Sequence, residues 1–312
     1  MAITPYIGST DILDYTNVAK FFAGEYNAKI RSSHSYFYGF MSSPFVKLTH
    51  NFALMKLMSF IWLILIMLSM YYISKKNKKM LLLILTAPIF WYMAPWINPI
   101  QIASLFFLWA YYFIKKYDDQ EKVSFLLYSG LFIGLAFTFW DTILFFGLFL
   151  SLSFLWNKKF SHVFFFTILV FIGLTPRLIL DQSLFNFAFF TILKSFFGTF
   201  TNLFWSEGAG GSGHAQKSLV NIFSVIIILP LFSYLLLKTK NFKENKKTVI
   251  FLILSLLLIL LNPQIRYTLT LSPIILLNLG KILNKKQFKI HIVFSILLSI
   301  LVVIPYLVQI NY

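Results

Sequence analysis

The sequence predicts an all-α fold: a polytopic transmembrane helical bundle of about ten spans, with an external helical region near the N-terminus. Three observations predict it. Of the 312 residues 59% are hydrophobic and only 12% charged, against roughly 45–50% apolar in a soluble domain. Mean hydropathy is +0.78, and the apolar residues come in long blocks divided by short polar punctuation. The lysines cluster in alternate connections between those blocks.

A spanning helix needs about 20 mostly apolar residues, fewer where flanking side chains snorkel. Residues 1–56 precede the first such block and form an external loop with amphipathic helices; residues 57–312 form the bundle. The candidate spans are 57–73, 80–94, 100–114, 123–139, 142–156, 162–180, 219–237, 248–262, 268–283 and 291–309. Lys75, Lys76, Lys78 and Lys79 follow the first span, Lys115, Lys116 and Lys122 the third, and Lys158 and Lys159 the fifth. Lys238, Lys240, Lys243, Lys246 and Lys247 form the fourth cluster, and Lys281, Lys285, Lys286 and Lys289 the last. Cytoplasmic connections retain positive charge during insertion, so hydropathy and charge give the same topology. The opposite side holds residues 1–56, the Pro95–Pro99 connection, residues 181–218, the Asn262–Arg266 turn and the C-terminus. Within 181–218 an aromatic stretch, FNFAFFTILKSFFGTFTNLFW, suits the membrane interface and precedes the Gly-rich loop SEGAGGSGH.

The net charge of +17 does not indicate a nucleic-acid partner, because the lysines sit between apolar blocks and not along one groove-sized face. Membrane lipids are the expected partners. With no cysteine, disulfides and thiolate metal sites are excluded. His34, His50, His162, His214 and His291 form no close pair, so no metal is assigned to histidines. The first 56 residues carry five Lys or Arg and no preceding apolar segment. Their export calls for a missing first span: either the gene model is truncated or a signal-anchor helix lies upstream of Met1.

Candidate chemistry lies on the external side. Asp11 and Asp14 open the segment STDILDYTNVAKFFAGEYN, where they serve either as cap and first-turn acid or as a general base. Arg177 and Asp181, four apart at the end of a span, share a helical face and permit a local ion pair; a donor-phosphate role for Arg177 is the alternative. Asp141 follows Trp140 in an apolar run long enough for two helices, so it either caps the second helix or faces an external cavity. Arg266 is either an interfacial anchor or a phosphate ligand, and Tyr267 either an aromatic-belt residue or a cavity residue. His34 is external, and Glu207 and His214 belong to the Gly-rich loop.

The order of these features resembles GT-C class membrane glycosyltransferases of the protein mannosyltransferase, polyprenyl-phosphate-sugar-dependent kind. Asp11, Tyr15, Ala19 and Gly24 resemble the class's first external loop, although Ile12 replaces the Glu of its Asp-Glu-x-x-Tyr form. SYFYGFMSSPFVKLTH keeps Pro44 of a Tyr-Pro-Pro-like turn, GLFIGLAFTFWDTILFF resembles a Gly-Leu-Ala helix, and LTPRLILDQSLFNFAFF the exit into a second external loop. NPQIRYTLTLSP resembles the Arg-Tyr motif, with Pro273 entering the next span. The resemblance implies an inverting transfer of sugar from a polyprenyl-phosphate donor to a lipid, glycan or protein acceptor on the non-cytoplasmic face. Asp11 would be the base, Asp14 the reserve, Arg266 and Arg177 the phosphate ligands, and Tyr15, Tyr267, Asp141 and His34 the cavity. A bacterial or archaeal cell membrane is the expected location. No cofactor is certain, and dependence on a divalent ion stays open. A transporter or lipid flippase and a noncatalytic subunit are the alternatives; neither an internal repeat nor polar midplane residues favour the transporter.

Overall fold

The computed structural model describes residues 10–27, 30, 35–49, 52–156, 158–204, 219–229, 246–261 and 263–308. It is helical throughout, with no strand among the described residues. Two external helices come first, α1 (Thr10–Phe22) and α2 (Phe37–Thr49). They pair closely because Gly39 lacks the Cβ that would collide with Val18 and the backbone of Ala19. Tyr15, Val18 and Ala19 line the buried face of α1, and the Tyr15 ring meets Tyr38 edge-on at 5.8 Å. The fully buried Tyr38 hydroxyl is 2.8 Å from Ser59 Oγ, which ties the pair to α3 (Ala53–Ile73).

The block expected as one span over 80–94 is two helices, α4 (Lys78–Thr86) and α5 (Pro88–Met93). The cause is Pro88. It has no N–H to donate, and it forces the preceding Ala87 out of the helical region to ψ 121°. At the other end of α4, the Asn77 side chain accepts from the Lys79 N–H at 2.9 Å, the usual geometry of an N-cap.

The bundle continues through α6 (Ile100–Gln120), α7 (Val123–Phe139), α8 (Ile143–Leu155) and α9 (Phe160–Phe185). Next come α10 (Phe190–Phe204), α11 (Leu219–Ile228), α12 (Lys246–Leu261) and a 3-10 turn at Ile265–Tyr267. The last two helices are α13 (Thr268–Ile282) and α14 (Lys285–Val308). Among the described residues three stretches, Ala53–Ile73, Phe160–Phe185 and Lys285–Ile304, are long and apolar enough to cross a membrane. Val123–Phe139 and Ile143–Leu155 are shorter apolar helices. α13 is buried at every position from Thr268 to Leu279 and forms the centre. α14 is peripheral and presents side chains such as Val293, Leu297 and Leu301 outward, as a helix does where lipid replaces water as solvent.

α7 and α9 make the tightest helix pair. Added Cβ atoms on Gly130, Gly134 and Gly173 would each run into backbone of the facing helix, so the two backbones nearly touch. α9 also runs a turn beyond the expected end of its span, to Phe185, where Asn186 closes it in the left-handed region at φ 55°. Arg177 and Asp181 therefore stand inside a helix and not in the loop that follows it.

Charge is segregated along the bundle. At the Lys-rich end, Lys158 pairs with Glu121 at 2.8 Å, Lys247 pairs with Asp118, and the Tyr117 hydroxyl is 2.5 Å from His162 Nδ1. The opposite end holds the constellation described next.

Candidate active site

The chain turns sharply between α7 and α8, and this turn builds the site. The last carbonyls of α7 have no partner within their own helix, and two of them are taken by side chains. The Phe137 carbonyl accepts from Arg177 Nη1 at 3.1 Å, and the Thr138 carbonyl accepts from Ser35 Oγ at 2.6 Å. The negative end of the helix dipole thus draws in a cation from α9 and a hydroxyl from the segment before α2.

Arg177 is completely buried, and all three of its nitrogens are engaged. Nη2 lies 2.6 Å from Asp141 Oδ1. Nε and Nη2 also donate to Thr191 Oγ1 at 3.0 and 2.9 Å. Thr191, at the start of α10, passes the polarity on: its hydroxyl donates to Asp181 Oδ2 at 2.6 Å and its backbone N–H to the same oxygen at 3.0 Å. The Phe137 ring, 5.5 Å from the guanidinium carbon, covers the cation.

Two expectations are corrected here. Arg177 and Asp181 share a helical face but form no direct ion pair, because the guanidinium turns to Asp141 and Thr191 bridges the gap to Asp181. Asp141 does not cap α8; Thr142 holds that position, with no side-chain cap bond, and the Asp141 carboxylate is spent on Arg177 instead.

Trp140 carries the constellation across to the second arginine. It sits in an extended link at φ −144° and ψ 123°, and its ring lies 5.3 Å from that of Tyr267. Arg266 comes just before, nearly buried, with Nε donating to Gln264 Oε1 at 2.6 Å and its guanidinium carbon 5.4 Å from the Tyr267 ring. Asp141, Arg177, Tyr267 and Arg266 therefore lie along one strip at this end.

The N-terminal helices approach the same strip. Phe37 packs against Phe139 at 5.3 Å and Tyr36 against Phe185 at 5.5 Å. Burial, and then the charges of Asp181 and Asp14, push the Tyr36 phenol above its ordinary pKa. Asp14 is half-buried on α1. Asp11 lies one turn earlier on the α1 backbone, with its side chain outside the described residues, and His34, Glu207 and His214 lie outside them altogether. Tyr15 packs edge-on against Tyr38 of α2 in the hairpin core.

The family model for EpsG matches residues 6–312. The chain belongs to the EpsG family. No curated protein and no solved structure matches it. EpsG proteins are a membrane glycosyltransferase-like, polymerase family, so the chain is a helical integral membrane protein of glycosyltransferase-like function.

For an EpsG-family chain, the strip supplies the group types that glycosyl transfer needs: carboxylates for hydroxyl groups and protons, and guanidinium for phosphate. Among the described residues, no group of three His, Asp or Glu side chains is placed to hold a metal ion. The sequence alone missed Thr191, Trp140 and Tyr36. Thr191 had one available signal, as a hydroxyl residue in an otherwise aromatic stretch directly after the Arg177 helix.

Proposed function

We propose that this chain is a multi-pass, inverting glycosyltransferase of GT-C type that takes a sugar from a polyprenyl-phosphate carrier on the non-cytoplasmic face. The carrying observation is the strip itself, in which the Asp141–Arg177–Asp181 constellation and the Arg266–Tyr267 pair meet across Trp140.

In this reading the acceptor hydroxyl oxygen attacks the anomeric carbon while the bond from that carbon to the phosphate oxygen breaks. The bonding pair leaves with the lipid phosphate, where Arg266 offsets the growing negative charge. The hydroxyl proton passes to a carboxylate of α1, Asp14 or Asp11 one turn before it. Asp141, fixed in place by Arg177, accepts hydrogen bonds from sugar hydroxyls. Arg177 is a positioning residue, because its nitrogens are already committed within the fold.

The test is transfer by purified protein in lipid vesicles supplied with a panel of polyprenyl-phosphate sugars. Removing the true base is expected to cost about 10²–10⁴-fold in rate, so one of Asp14→Asn and Asp11→Asn should fall that far while binding donor normally. Native-like transfer by both variants would remove α1 from the mechanism. Sugar flux across the vesicle without transfer would overturn the enzyme reading.

A further inference from the structure

The α4–α5 break leaves a cavity of about 280 Å³ between α5, α11, α13 and α14. Its origin is local. Pro88 sends the chain sideways, the Thr86 carbonyl loses its place in a helix, and Ser299 Oγ of α14 donates to it at 2.9 Å. α14 is thereby pinned across the step, and the space beside it is lined by aliphatic side chains such as Ile89, Ile227, Leu276 and Leu298. Polar lining is sparse, and His291 and Ser295 face each other at 3.4 Å.

The position of this cleft relative to Arg266 gives it a meaning. The 3-10 turn that carries Arg266 packs on α5, α11 and α13, three of the helices that wall the cleft. Ser272 and Leu276 of the lining follow Arg266 by six and ten residues, roughly 9 and 15 Å deeper at 1.5 Å per residue. A turn bearing a cation, packed on the helices that wall an aliphatic slot, matches a lipid phosphate and its hydrocarbon chain.

We infer that this cleft holds the part of the polyprenyl tail nearest the phosphate of the lipid-linked donor, so that tail and phosphate are read together. The inference rests on the proposed donor-phosphate role of Arg266. A volume of about 280 Å³ falls just below the roughly 300–1,000 Å³ of small-molecule sites, which suits a segment of chain and not a whole lipid. Holding that segment fixes the phosphate against Arg266 and limits the wandering of the anomeric carbon.

The experiment uses the full chain in vesicles and a polyprenyl phosphate bearing a photoreactive diazirine in an isoprene unit near the phosphate. Cross-links are expected on residues 226–229 and 291–298, displaced by unlabelled polyprenyl phosphate and not by excess phosphatidylglycerol. Filling the slot by Ile226→Trp should weaken polyprenyl-phosphate binding about fivefold, the scale of one lost buried aliphatic contact. Leu68→Trp, on an exposed face of α3, should leave binding unchanged and controls for bulk alone. Cross-links elsewhere, or equal displacement by phosphatidylglycerol, would overturn the inference. A parallel comparison of polyprenyl phosphate with the uncharged polyprenol separates the two claims. If Arg266→Ala abolishes the preference for phosphate while cross-links miss the cleft, the tail site fails and the donor reading stands. If cross-links mark the cleft but Arg266→Ala leaves the preference intact, the donor reading fails.

Discussion

Arg177 Nη2 and Asp141 Oδ1 are 2.6 Å apart, joining α9 to the α7–α8 turn by an ion pair whose arginine is wholly buried. Removing one member of a buried pair costs about 3–5 kcal/mol, because the other charge is left uncompensated. Arg177→Met leaves the Asp141 carboxylate without its cation and the Phe137 carbonyl and Thr191 without their donor, and should show the full loss. Arg177→Lys should rescue little, since a single ammonium lacks the planar fork that reaches Phe137, Asp141 and Thr191 together. Asp141→Asn leaves the arginine bound to Phe137 and Thr191 and should cost less. Thermal unfolding in detergent orders the three, and equal losses for Arg177→Met and Asp141→Asn would contradict this account.

The close approach of α7 and α9 sets where Arg177 stands. A side chain at Gly134 would strike the Val170 carbonyl, so Gly134→Leu must separate the helices and pull the guanidinium from the Phe137 carbonyl. Overpacking of this kind costs about 1–3 kcal/mol. We expect a lower unfolding temperature together with lost transfer activity, and a smaller effect in the same direction for Gly134→Ala. An unchanged melt for Gly134→Leu would mean the helices are not in contact.

The helical membrane bundle was legible from apolar blocks, because lipid-facing and buried helices are both apolar and only connections interrupt them. The Ala87–Pro88 step escaped that reading because hydropathy does not register a missing N–H. Asp141, Arg177, Arg266 and Tyr267 were legible as polar residues, and the structure gathers them at one end of the bundle. Their partnerships were not. The spacing of Arg177 and Asp181 favoured a pair within one helix, whereas the guanidinium found its carboxylate in another element. Thr191 stood out only as a hydroxyl residue after the Arg177 helix, and its bridging role was not legible because it depends on α10 folding back onto α9.

The Tyr36 phenol offers a pH readout of the same contacts. Burial is the main cause of its raised pKa, followed by the carboxylates of Asp181 and Asp14, so the folded state favours the neutral phenol. The stability it contributes is complete below the ordinary tyrosine value of about 10 and is lost as pH rises through the higher folded value. With 16 tyrosines present, the signal is the difference in phenolate absorbance between native protein and Tyr36→Phe. That difference should appear above pH ~10 and move downward in Asp14→Asn. A difference spectrum unmoved by Asp14→Asn would place α1 away from the strip.

The absence of cysteine makes sidedness directly measurable, because any introduced thiol is the only one. Lys78, Lys122 and Lys286 are exposed at the Lys-rich end, and Tyr26 is 76% exposed in the N-terminal segment at the other. Cationic connections resist translocation while the segment bearing α1 is expected to cross. Tyr26→Cys should therefore react with a membrane-impermeant maleimide in intact cells. Lys78→Cys, Lys122→Cys and Lys286→Cys should react only after permeabilisation. The reverse labelling would put Asp14, Asp141 and Arg266 on the cytoplasmic side, and the donor would then have to be drawn from that leaflet.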